Sequence, residues 1–239
     1  QVIKENDAGL NNSMLNSSYV WGMSWFIFSE VMFFFAFFLA LGYIRNFAVP
    51  WLGGEGEKAI SNMLWPGFES HWPLVVTPDQ AAFPGPSEEM SLGTAYQHGG
   101  LAGVLGWIPL YNTILLLSSS VTVHIAHLNL KKNNRQQFHI WLTLTLIMGY
   151  AFVALQAIEY YEAYAHMGLT LNSGVYGTTF FMLTGFHGFH VCLGAIILTV
   201  MLLRGLRGHF KPDDHFGFEA GSWYWHFVDV VWICLVAFV

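Results

Sequence analysis

Five stretches of this chain are long, apolar and almost free of charge, and polar segments separate them. They run at about 19–43, 101–127, 138–162, 176–203 and 218–239. Each comes close to or exceeds the ~20 apolar residues that a helix needs to cross the hydrocarbon of a bilayer. Backbone N–H and C=O groups in lipid must be bonded within the protein, so these stretches are expected as helices. The pattern predicts an all-α integral membrane protein. It is expected to be a bundle of five transmembrane helices forming one membrane domain over 1–239.

The connections are unequal. The segment 45–100 is long and holds Pro50, Pro66, Pro73, Pro78, Pro84 and Pro86. Its acids are Glu55, Glu57, Glu69, Asp79, Glu88 and Glu89, against the basic Arg45 and Lys58. A loop of that length is usually functional or packed on something. Trp51, Trp65, Phe68, Trp72 and Phe83 argue for packing near the membrane interface. Two short loops are basic: LKKNNR at 130–135, and the stretch with Arg204, Arg207 and Lys211. The loop 163–175 has neither Lys nor Arg. Pro109 lies in the outer part of the second span, where proline tends to kink a membrane helix.

Charge orients the bundle. Six of the nine Lys and Arg fall in the two basic loops, and Lys4 precedes the first span on the same side. The positive-inside rule therefore puts those loops and the N-terminal end in the cytoplasm, and the acidic loop 45–100 outside. With 54% hydrophobic and 10% charged residues, the chain is far from the ~25% charge of a soluble domain. A net charge of −6 and the lack of a basic stripe exclude nucleic acid. Cys192 and Cys234 both lie in apolar runs and read as small hydrophobes.

The candidate chemistry lies in the polar residues inside the spans. Glu30 sits among aromatics in WFIFSEVMFFFAFFLAL, well inside the hydrocarbon. A charged acid facing lipid there costs on the order of 2.5–3.5 kcal/mol on insertion scales. Glu30 is therefore expected to be protonated and hydrogen-bonded to a neighbouring helix, a lipid or water. The second span carries His124 and His127, three residues apart on one face. The third carries Gln156, Glu159 and Glu162, the fourth His187 and His190, and the fifth Glu219, His226 and Asp229. Three uses compete for them. Paired histidines ligate haem or copper, intramembrane acids relay protons, and polar groups beside glycines bond helices to one another.

The strings FIFSEVMFFFAFF (26–38), PLYNTILLLSSSVTVHIAH (109–127), LQAIEYYEA (155–163), GVYGTTFFMLTGFHGFHV (174–191) and HFGFEAGSWYWHFVDVVW (215–232) occur in this order. Together they resemble subunit III of haem–copper cytochrome c oxidases, and the likeness extends from Trp25 to the end of the chain. The long loop and the turn KKNNRQQ are similar to the bacterial version. The family has seven helices, and this chain shows the last five. Quinol oxidases, with a related five-helix third subunit, are the alternative within the same chemistry, and an unrelated membrane scaffold or transporter is the alternative outside it. The glutamate in FSEVMFF and the run HFGFEAGSWYWHF favour the cytochrome c type.

The resemblance implies a core subunit of a proton-translocating oxidase of the aerobic respiratory chain, in a bacterial inner membrane. It implies no redox centre and no metal in this chain, haem and copper belonging to the partner subunits. Subunits I and II are the implied partners, with phospholipid as a bound component. The family's intramembrane acid falls on Glu30, near the proton-uptake path of the catalytic subunit. The chain itself is expected to have no catalytic residue. From their positions, Arg204, Arg207, Lys211, His124, His127, Trp223 and Trp225 are expected at lipid. Glu159, Glu162, His187, His190, Glu219, His226 and Asp229 are expected to pack helices together. The acidic loop suits a basic donor such as a cytochrome c.

Overall fold

The computed structural model describes residues 13–86, 108–210, 212 and 215–239, the side chains of residues 13, 14 and 16 excepted. Five long helices account for the bundle: α1 (Ser13–Tyr43), α2 (Ile108–Lys131), α3 (Arg135–Ala165), α4 (Gly174–Leu206) and α5 (Phe216–Phe238). No strand occurs among the described residues. All five are long and apolar enough to cross a membrane. The residues expected at 101–107, and the acids Glu88 and Glu89, lie outside the described residues.

The first span is longer than its hydropathy indicated. Beyond Tyr43 the chain continues through a π turn, Ile44–Ala48, and a last α turn, Val49–Leu52. Arg45 and Pro50 thus belong to the helical rod and not to the loop. The wide turn falls just ahead of Pro50, whose ring and missing N–H would interrupt a regular α ladder. Pro109 stands in the first described turn of α2, and Thr113 Oγ1 donates to its carbonyl at 2.7 Å.

α2 and α3 form a tight antiparallel hairpin. Asn133 takes the left-handed conformation at φ 58°, which asparagine tolerates better than most residues. Asn134 then caps α3 by accepting from the Gln137 N–H at 3.4 Å. α5 is the central helix and packs against α4, α2 and α1, while α1 packs on α4 and α5 alone among the long helices of the described residues.

Trp225 of α5 fills the middle of the bundle. It is fully buried, and its indole N–H donates to Ser119 Oγ of α2 at 2.9 Å. A Cβ on Gly149 of α3 would come within 2.7 Å of this ring, and one on Gly194 of α4 within 2.8 Å. The expectation that Trp225 meets the lipid boundary is therefore corrected. Bare backbone on two helices opens a slot that the indole occupies, and Ser119 satisfies its one donor.

The described part of the loop between α1 and α2 packs where α3 ends and α4 begins. Val49, Phe68 and Leu74 join Ala163, Leu169, Tyr176 and Phe181 in a second, smaller core. Trp72 stands edge-on to Tyr176 with ring centres 5.5 Å apart. Arg45 lies over the Trp72 ring and donates to the Phe238 carbonyl at 3.3 Å, fastening the end of α5 to this layer.

The slot gives a directional prediction. Gly149→Ala places a methyl against the locked Trp225 ring and is expected to lower stability by about 1–3 kcal/mol. Gly188→Ala on α4 meets nothing within 4 Å and is expected to be neutral or stabilising by up to ~1 kcal/mol from helix propensity. Thermal unfolding of the two variants in the same detergent distinguishes them by sign.

Candidate functional site

Glu30 does find a neighbouring helix. Its Oε2 lies 3.0 Å from Nε2 of His190 on α4. The His190 side chain is 8% exposed and that of Glu30 is 23% exposed, so the pair lies just beneath the bundle surface. The other ring nitrogen of His190, Nδ1, is 2.6 Å from the Phe186 carbonyl, one turn earlier. A carbonyl only accepts, so Nδ1 carries a hydrogen, an assignment made from the bonding network.

That constraint fixes the chemistry of the pair. With Nδ1 protonated, the contact between Nε2 and the carboxyl holds one proton. It rests either on Glu30, donating to a neutral imidazole, or on His190, donating to a carboxylate. Both arrangements have zero net charge, which is the condition an apolar surrounding imposes. The rings of Phe33, Phe34, Tyr224 and Phe227 surround His190, with Phe34 5.1 Å away and Tyr224 stacked at 6.3 Å. Their faces favour a cation and their bulk keeps water out.

The other polar residues of the spans divide by partner. His187 is fully buried and its Nε2–H donates to the Val228 carbonyl of α5 at 3.2 Å, with the ring between Phe152 and Trp232. His226 Nδ1 shares a hydrogen bond of 2.6 Å with Ser120 Oγ of α2, and Asp229 Oδ2 is 3.6 Å from the same nitrogen. Glu159 and Glu162 are half-buried in the last turns of α3, and Glu159 Oε2 is buried without a hydrogen-bond partner among the described residues.

Hydroxyl bonds between helices repeat the same device. Trp232 donates to Thr113 Oγ1 at 3.0 Å, and Thr122 bonds Thr145 at 2.7 Å. Ser119, Thr113, Thr122 and Thr145 were not distinguishable in the sequence as partners, although SSS at 118–120 marks a helix face able to approach closely.

At the basic-loop end, Arg204, Arg207 and His124 are exposed and Trp223 is half-buried. Lys211 lies outside the described residues. His127 differs from His124. It turns inward, edge-on to His215 and Phe218, with ring centres 5.3 and 5.7 Å away. Glu219, at the start of α5, lies beside these two histidines.

Similarity to known proteins agrees with this architecture. A family model described as cytochrome c oxidase subunit III matches residues 84–239. The "Cytochrome c oxidase subunit 3" of Scyliorhinus canicula is 44% identical over 215 residues, covering 90% of this chain and 66% of that protein. The protein of the same name from Gallus gallus is 41% identical over the same shares. That of Struthio camelus is 53% identical over 128 residues, 54% of this chain and 48% of its own length. The chain thus spans just under two thirds of the length of the first two relatives. Five apolar helices in a polar-bonded bundle, with the matched segment extending from the loop before α2 through α5, place this chain in the cytochrome c oxidase subunit III family.

Proposed function

We propose that the chain is a non-redox core subunit of a proton-pumping terminal cytochrome c oxidase in the aerobic respiratory chain of a bacterial inner membrane. In this reading it packs against the catalytic subunit I, with subunit II in the same complex. It binds phospholipid and supports proton uptake and stability during turnover. The two basic loops and the N-terminal end face the cytoplasm, and the loop 45–100 faces the periplasm.

The observation that carries the reading is the Glu30–His190 bond. A net-neutral pair with one movable proton, just under the bundle surface, suits a group that supports a neighbouring proton path. The bonds of His187, His190 and His226 to a carbonyl, a carboxyl and a hydroxyl support a packing use for them. Haem and copper are then the partner subunits' cofactors.

Glu30→Gln keeps a donor toward Nε2 of His190 and removes the ionisable proton. The complex is expected to assemble and reduce oxygen at an initial rate within a factor of about two, because no contact made only in the transition state is lost. Activity is expected to decay over fewer turnovers. Immediate loss of pumping in an intact complex would make Glu30 an obligatory carrier and sink the supporting role.

The exposure of Arg204, Arg207 and His124 at the basic-loop end supports binding of lipid phosphates there, and the half-buried Trp223 suits the acyl boundary. Each basic side chain near a phosphate contributes ~1 kcal/mol, so Arg204→Ala with Arg207→Ala is expected to weaken lipid retention about 30-fold. Phospholipid counted per complex after detergent washing checks this, and unchanged content counts against it.

The exposed acids Glu55, Glu57 and Glu69 suit steering of a basic cytochrome c, through a field that fades with salt. Charge reversal at Glu55 and Glu57, with Glu88 and Glu89, is expected to slow donor oxidation about tenfold at low ionic strength and to flatten its salt dependence. An unchanged salt profile would remove the steering role.

A further inference from the structure

His127, His215 and Glu219 form a cluster that none of the bonds described above uses. Their ligand-type atoms all lie within 4.8 Å of one another. His215 and Glu219 are four residues apart across the start of α5, so they share one face of that turn, and His127 reaches them from the last turns of α2. His127 Nε2 and His215 Nδ1 are both buried and have no hydrogen-bond partner among the described residues. No ion pair from Lys or Arg reaches Glu219 among the described residues.

A packing role leaves these facts unaccounted for. The first turn of a helix tolerates an acid, which would explain Glu219 alone. It does not explain two histidines clustered with that carboxylate, each with a ring nitrogen buried away from water and without a hydrogen-bond partner among the described residues. A lipid phosphate would satisfy the nitrogens but would be repelled by Glu219. A divalent cation satisfies all three donors at once. Two imidazoles and one carboxylate suit zinc better than magnesium or calcium, which favour all-oxygen sets.

The dimensions fit. Zinc binds at ~2.0–2.1 Å, so tetrahedral donors stand about 3.4 Å apart. The donors lie within 4.8 Å of one another, so the closure required is on the scale of side-chain rotation. With three protein donors, water or a substrate-sized ligand takes the fourth position.

We propose that His127, His215 and Glu219 bind one zinc ion that clamps the end of α2 to the start of α5 at the basic-loop edge. The site departs from the expectation of no metal in this chain, and from the expectation of lipid at His127. It is a closed-shell, non-redox site and does not depend on the proposed place in an oxidase.

The test uses the full chain in the complex purified in mild detergent, stripped with a chelator and dialysed. Zn2+ alone is titrated against a chromogenic competitor, and Co2+ is used as a spectroscopic substitute. One Zn2+ per chain is expected, with a rise in the thermal unfolding temperature and a tetrahedral-type Co2+ absorption. His215→Asn and Glu219→Gln are expected to weaken that site at least about 100-fold and abolish both signals, because each removes one of three donors. His166→Asn, at an exposed histidine in another loop, is expected to change neither. Should His215→Asn fail to assemble, Glu219→Gln, which retains side-chain shape, carries the comparison. No stoichiometric Zn2+ on the parent chain, or equal binding in parent and both variants, would overturn the proposal.

Discussion

The bundle is held by a wedge. Trp225 reaches from α5 to the backbone of α3 and α4 and donates its single hydrogen bond to α2, so one side chain touches three other helices. Lipid tails are as apolar as leucine, so burial of hydrocarbon does not drive these helices together as it would in water. What remains is close packing and bonds between helices. Gly149 and Gly194 permit the close packing, and Ser119 closes the bond. About two turns away, Trp232 repeats the pattern with Thr113, so α2 and α5 are matched along their length by two indole–hydroxyl bonds. Each hydroxyl passes its own hydrogen to a carbonyl of α2, Ser119 to Leu116 and Thr113 to Pro109, so no donor is left over.

α1 is attached by different means. In its most apolar window 11% of residues are buried, against 56% for α5. Trp21, Trp25, Phe28 and Leu39 are all more than half exposed, and their face belongs to lipid or to another subunit. A helix with so little buried surface relies on the contacts it does make. Those include aromatic packing from Phe26 to Phe38, the bond from Glu30 to His190 and, past Tyr43, the bond from Arg45 to the Phe238 carbonyl. In the proposed reading, the structural and proton-handling uses of Glu30 are thus one feature seen twice. The bond itself holds one proton, and moving it within the bond changes no net charge.

Hydropathy made the five spans legible, because twenty apolar residues in a row have few alternatives in any fold. It also marked Glu30, since an acid in such a run stands out. It did not mark His190 as the partner. His187 and His190 are equivalent in the string TGFHGFH, yet one turns to the Val228 carbonyl and the other to α1, a choice made by tertiary packing. Trp223, Tyr224 and Trp225 look like a single interfacial aromatic group. Successive residues on a helix point ~100° apart, so the three cannot share a face. The structure leaves Trp223 half-buried and sinks the other two. The signal that distinguishes Trp225 is glycine on other helices, which is legible only once the helices are paired. The end of α1 was misjudged for a related reason. Arg45 and Pro50 read as loop residues, whereas a π turn carries the helix past both.

Depth decides which polar chemistry each level of the bundle uses. In the middle, where an unpaired charge is most costly, the helices are joined by hydroxyls, indole N–H groups and backbone carbonyls, all neutral. Glu30 and His190 are tolerated near this level because they cancel each other. Toward the basic-loop edge, charged and ligating groups appear without such cancellation: Arg204 and Arg207 at the surface, and His127, His215 and Glu219 between α2 and α5. The α2–α5 seam runs through all these levels. Its interior is closed by two indole–hydroxyl bonds and by the Ser120–His226 bond, and its edge ends in two imidazoles and a carboxylate with their donor atoms convergent. With these bonds holding the seam, the helices are already aligned before a ligand arrives at its edge, which is what a site filled from solution requires.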